Sequence, residues 1–93
     1  MKTSVRLRTN FSYRCEEREE LMLPDGVRTI AELLHRIGNE MDFRFLDVRT
    51  GNLRPDIEII VNGKDIWFYP GGLQSPLSDG DLLEITLIPL GGG

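Results

Sequence analysis

Apolar and polar positions alternate over residues 4–11: Val5, Leu7, Thr9 and Phe11 fall on one side, and Arg6, Arg8 and Asn10 on the other. A period of two predicts a strand with one buried face. The charged run at 16–20 leads into Leu21, Met22 and Leu23, which predict a second strand ending before Pro24 and paired antiparallel with the first through residues 12–15. Pro24, Asp25 and Gly26 then make a turn. The period changes after it. Thr29 and Glu32 have the spacing of a capping box, and Ile30, Leu33, Leu34 and Ile37 follow at i, i+3, i+4 and i+7. That pattern predicts a short helix with one apolar stripe, and Gly38 sits where a helix commonly stops.

The stretch 39–56 has no clear period. Phe43 and Phe45 flank Arg44, a spacing that suits either a short strand or two anchors beneath a loop, and Thr50, Gly51 and Asn52 read as a turn. Regularity returns with the β-branched run Ile57, Glu58, Ile59, Ile60, Val61, which ends in Asn62-Gly63. This dipeptide supplies the two positive φ values of a type I′ hairpin turn, so residues 65–69 are expected to form the return strand. Two further turns, at 70–72 and 76–81, precede a last strand from Leu82 to Ile88, with Leu83, Ile85 and Leu87 toward the core and Glu84 and Thr86 on the other face. Pro89 cannot donate a ladder hydrogen bond and ends it. One helix against a mixed sheet is the smallest α+β arrangement that buries both kinds of stripe together.

Composition narrows the function. Ninety-three residues fit one domain, and the 40 % hydrophobic content suffices for a modest core. A formal net charge of -4 opposes non-specific attraction to phosphate backbones, so nucleic acid is not an expected partner. Neither a signal-peptide pattern nor an 18-residue apolar run occurs, so a cytoplasmic protein without a membrane span is expected. Cys15 is the sole cysteine and cannot form an internal disulfide.

Four features stand in a telling order: the Thr29-Ile30-Ala31-Glu32-Leu33-Leu34 helix after its Pro24-Asp25-Gly26 turn, Val61-Asn62-Gly63-Lys64-Asp65-Ile66 after a β-branched strand, Pro76-Leu77-Ser78-Asp79-Gly80-Asp81, and a terminal Gly92-Gly93. Over residues 21–93 the chain resembles the MoaD/ThiS family of ubiquitin-like sulfur-carrier proteins. The resemblance implies a β-grasp domain over 1–89 and a flexible glycine tail over 90–93. It also implies that an E1-like enzyme uses ATP to adenylate the Gly93 carboxylate, which then carries sulfur as a thiocarboxylate. The sulfur would pass to a synthase or thiolation enzyme, most simply in molybdopterin-type cofactor synthesis. On this reading the chain is a carrier, able to serve as the small subunit of a synthase, rather than an enzyme, and it binds no cofactor or metal itself. Three glycines stand where the minimal family signature has two, so Gly93 is assigned the chemistry and Gly91 and Gly92 the steric clearance.

The chemistry suits such a tail. An α-carboxylate with an ordinary pKa of about 3.5 is ionised near neutral pH and is a poor electrophile until adenylated. No G-x-x-x-x-G-K-[ST] loop occurs here, so the ATP site is expected on the partner. Residues 89–93 span roughly 15 Å when extended, and glycines pass through channels closed to larger residues. Ordering them costs about 1 to 2 kcal/mol per residue, which contacts outside the glycines must offset. Leu90, Ile88 and Leu82 are the candidate docking residues.

Other chemistry-bearing residues have plainer explanations. Cys15 reads as a small hydrophobe, His35 as a boundary residue on the helix, and Asp79 and Asp81 as turn residues too few in oxygens for a calcium loop. Trp67, Phe68 and Tyr69 suit core and sheet cover, or an interaction site; Arg44, Arg49 and Arg54 could form a basic patch. Two further functions share the same residues. A protein modifier would join Gly93 to target lysines, and a non-covalent β-grasp interaction module would not use the carboxylate at all.

Overall fold

The computed structural model describes residues 3–11 and 20–88. The expected hairpin loop at 12–15, with Cys15, and the residues Pro89, Leu90, Gly91, Gly92 and Gly93 lie outside them. Among the described residues the strands are β1 (Ser4–Thr9), β2 (Glu20–Met22), β3 (Ile57–Val61), β4 (Lys64–Asp65) and β5 (Leu82–Leu87), with one α-helix, α1 (Ile30–Met41), between β2 and β3. They make a single mixed sheet in the order β2-β1-β5-β3-β4. The first and last strands lie side by side and parallel, whereas the other three pairings are antiparallel. The long crossover that a parallel pair needs carries α1.

α1 buries Ile30, Leu33, Leu34 and Ile37 against Val5, Ile59, Leu83 and Ile85 in one contiguous core. Its start is the expected capping box: Thr29 Oγ1 accepts from the Glu32 N–H at 3.2 Å, and Glu32 Oε1 accepts from the Thr29 N–H at 3.1 Å. The Asn62-Gly63 turn also forms as expected, with φ values of 52° and 82°. Together the sheet and helix are the α+β arrangement that the residue pattern predicts, in the ubiquitin-like order that the resemblance implies.

Three local expectations are corrected. α1 does not stop at Gly38 but runs to Met41, and Asp42 ends it in the left-handed region at φ 54°. Gly38 is buried within the helix, and its carbonyl accepts from the N–H groups of Asp42 and Phe43 as the chain folds back. A Cβ at position 38 would press into the Phe43 carbonyl oxygen, so glycine is needed there for close approach rather than for termination.

The return strand expected at 65–69 pairs only through Asp65. Residues Ile66–Phe68 instead form a 3₁₀ turn whose first free N–H, that of Trp67, donates to the Asp65 carboxylate at 3.0 Å. Ile66 enters the core, Tyr69 donates its hydroxyl to the Val61 carbonyl at 2.7 Å, and Trp67 and Phe68 are left 64 % and 79 % exposed.

The first strand ends at Thr9, two residues early. Thr9 Oγ1 donates to the Phe11 carbonyl at 2.7 Å, which bends the chain off the ladder. In the irregular stretch the second alternative holds. Phe45 is buried and Phe43 meets it edge-on with centroids 4.8 Å apart, so the two rings anchor a loop. That loop is closed by the isolated bridge Leu46↔Leu53 and by Asp47, whose carboxylate accepts from the Arg49 N–H.

Candidate functional site: the end of β5

β5 is held on both sides, by β1 and by β3. Along such a strand the backbone groups of successive residues point to alternate neighbours. The Ile88 N–H donates to the Asp56 carbonyl at 2.7 Å, on the β3 side. The backbone of Leu87 therefore addresses the β1 side, where the ladder has already ended at Thr9. The side chain of Asn10 fills the gap: its Oδ1 accepts from the Leu87 N–H at 2.8 Å and its Nδ2 donates to the Leu87 carbonyl at 2.9 Å. A carboxamide carries one donor group and one acceptor group, as a peptide unit does, so it continues the ladder by one residue.

The β3 side is braced as well. Arg54 grips the Asp56 carboxylate with Nε at 3.1 Å and Nη2 at 2.8 Å, and its Nη1 donates to the Arg44 carbonyl at 3.2 Å. Its guanidinium carbon lies 4.9 Å from the centre of the Phe43 ring. The residue whose carbonyl holds Ile88 is thus tied to the anchored loop. Arg54 belongs to this brace and not to a free basic patch.

The docking residues expected from sequence separate in space. Ile88 directly follows β5 and is 38 % exposed. Leu82 opens β5 beside Arg6, half-buried, and six residues from Ile88 on a strand amounts to roughly 20 Å. Between them the open face of the sheet sets Arg8 beside Glu84 and Glu58 beside Thr86. At the Leu82 end, Asn62 and Asp81 fasten the β3–β4 hairpin to the start of β5: Asn62 Oδ1 accepts from the Leu82 N–H at 2.9 Å, and Asn62 Nδ2 donates to Asp81 Oδ1 at 3.0 Å. The carboxylate of Asp79 accepts from the Ser4 N–H, and that of Asp81 from the Ser78 N–H. Both aspartates are committed to the turn. Among the described residues no group of three His, Cys, Asp or Glu side chains could hold a metal ion.

Asn10 and Asp56 were not among the residues singled out in the sequence, and Arg54 was named there only for a basic patch. Asn10 reads there as one more outward polar residue after Arg6 and Arg8, and only the pairing of the first strand with the last sets it beside Leu87. His35 is exposed on α1 and borders a cavity of about 410 Å³ between that helix and the 43–51 loop, which contains none of the predicted docking residues. No helix among the described residues is long and apolar enough to cross a membrane.

The strand order, the parallel central pair and the single crossing helix give this chain the ubiquitin-like β-grasp fold. No family model and no curated protein matches the chain by sequence. Solved structures do match. The Haloferax volcanii HVO 2177 protein superimposes with a TM-score of 0.68 at 21 % identity, over 98 % of this chain and 88 % of that one. Small archaeal modifier protein 1 (SAMP1) from Methanosarcina acetivorans gives a TM-score of 0.65 at 21 % identity, over 100 % of this chain and 99 % of that one. Urm1 from Sulfolobus solfataricus gives 0.58 at 26 % identity, over 91 % and 99 % of the two chains.

Proposed function

We propose that this chain is a ubiquitin-like sulfur carrier whose reacting group is the Gly93 carboxylate. The observation that carries the reading is the end of β5: a central strand held from both sides through Leu87 and Ile88, followed in sequence by Pro89, Leu90 and three glycines. An E1-like partner supplies the ATP site. A carboxylate oxygen of Gly93 attacks the α-phosphorus and pyrophosphate leaves; a sulfide-level donor then attacks the acyl carbon and displaces AMP, which leaves a thiocarboxylate. Leu90 and Ile88 dock beside the arm, with Leu82 as a more distant contact on the same sheet face, and Gly91 and Gly92 give the arm its narrow cross-section. A sulfur-accepting synthase or thiolation enzyme takes the product, with molybdopterin-type synthesis the leading pathway.

A second reading is conjugation, in which the same adenylate ends as an isopeptide bond to a lysine amine. The likeness to a protein named as a modifier, SAMP1, favours it. Intact mass separates the two. With an E1-like enzyme, ATP and a sulfide source, the carrier gains about 16 Da, the difference between sulfur and oxygen. Failure to gain that mass, under conditions that thiocarboxylate a related carrier, refutes sulfur carriage. Recovery of lysine-linked adducts from cells supports conjugation.

A further inference from the structure

The root of the arm is fixed by a side chain as well as by strand pairing, and this assigns a role to Asn10. We propose that Asn10 is a positioning residue for activation at the C-terminus: its carboxamide locks Leu87, and with the Asp56 carbonyl on Ile88 it sets the direction in which the arm leaves the domain. The proposal rests on the carrier or modifier reading above.

The argument is geometric. β1 stops at Thr9 while β5 continues to Leu87, so without Asn10 both backbone polar groups of Leu87 lose their partner on that side. The carboxamide meets both, at 2.8 Å and 2.9 Å. Asn10 itself is exposed and lies outside the core, so what it contributes here is this pair of bonds. Leu87 and Ile88 are held toward different neighbours, Asn10 and Asp56, and two successive residues held from opposite sides define a direction as well as a point. Freeing Leu87 would leave one more residue to be ordered each time the arm enters a partner's cleft. Ordering a residue weakens docking by about tenfold, and this loss precedes the chemical step.

The test compares wild type, Asn10→Ala, Asn10→Asp and a control, Ile37→Val, which trims the core on α1 away from the arm. Hydrogen exchange of the Leu87 amide is measured on the isolated protein, and KM and kcat for the carrier are measured with an E1-like enzyme and ATP. N10A is expected to speed exchange at Leu87 by at least about tenfold and to raise KM about tenfold with kcat within about twofold. N10D keeps the acceptor for the Leu87 N–H and should retain more of the amide protection than N10A. I37V should leave both KM and Leu87 exchange near wild type. An unchanged KM in N10A, or an equal rise in I37V, overturns the proposal. If wild type itself is not activated, the carrier and modifier readings fail instead, and the enzyme-free exchange measurement then decides whether the lock on Leu87 exists.

Discussion

At Gly38 a hydrogen stands where a methyl group would meet the Phe43 carbonyl oxygen. Alanine is the better helix former by roughly 0.5 to 1 kcal/mol, yet a contact that close to backbone requires a shift of the kind that usually costs about 1 to 3 kcal/mol. Gly38→Ala is therefore expected to destabilise the fold by about 1 to 2 kcal/mol, read as a lower midpoint in urea at unchanged slope. Equal or higher stability would refute the close-approach account. The sequence shows a glycine at the end of an apolar stripe, which is the common sign of a helix stop. It does not show that Asp42 takes the left-handed conformation and turns Phe43 back over the helix, because that contact forms only when Phe43 and Phe45 are drawn together under the loop. Asn10 is the same lesson at the site. Its partner, Leu87, lies 77 residues away, and no local pattern relates the two.

Elements whose causes lie within a few residues were readable. The start of α1 is one: Thr29 and Glu32 satisfy each other's backbone donors, and the stripe from Ile30 to Ile37 faces the sheet. Thr29→Ala is expected to cost about 1 kcal/mol, seen in chemical denaturation, because it leaves an N–H at the helix start without its acceptor. A loss below about 0.3 kcal/mol would show that this cap contributes little here. The Asn62-Gly63 turn is readable for the same reason, since its two positive φ values belong to the turn itself. The strand after it is not. Residues Asp65 to Tyr69 carry a β-forming composition, but a second full pairing would have to compete with Asp65 capping the Trp67 N–H and with Ile66 entering the core. The local cap and the burial of one isoleucine decide in favour of a 3₁₀ turn.

For the molecule as a whole, folding and the proposed chemistry separate along the chain. The core gathers residues from Val5 to Ile85, and Gly92 and Gly93 follow the end of β5 by several residues. Deleting Gly92 and Gly93 should leave the melting temperature within about 1 °C of wild type while abolishing ATP-dependent activation, measured by calorimetry and by intact mass. A truncated chain that is still activated would refute the assignment to Gly93. The amino-acid sequence by itself determined the helix with its cap, the hairpin turn and the α+β class, because each rests on contacts between near neighbours or on residue type. Tertiary structure alone decided that the first and last strands lie parallel at the centre, that Ile88 and Leu82 are far apart on one face, and that Asn10, Arg54 and Asp56 converge on the end of β5. These depend on which distant strands pair, and a period of two or 3.6 says which face is buried but not which neighbour it will meet.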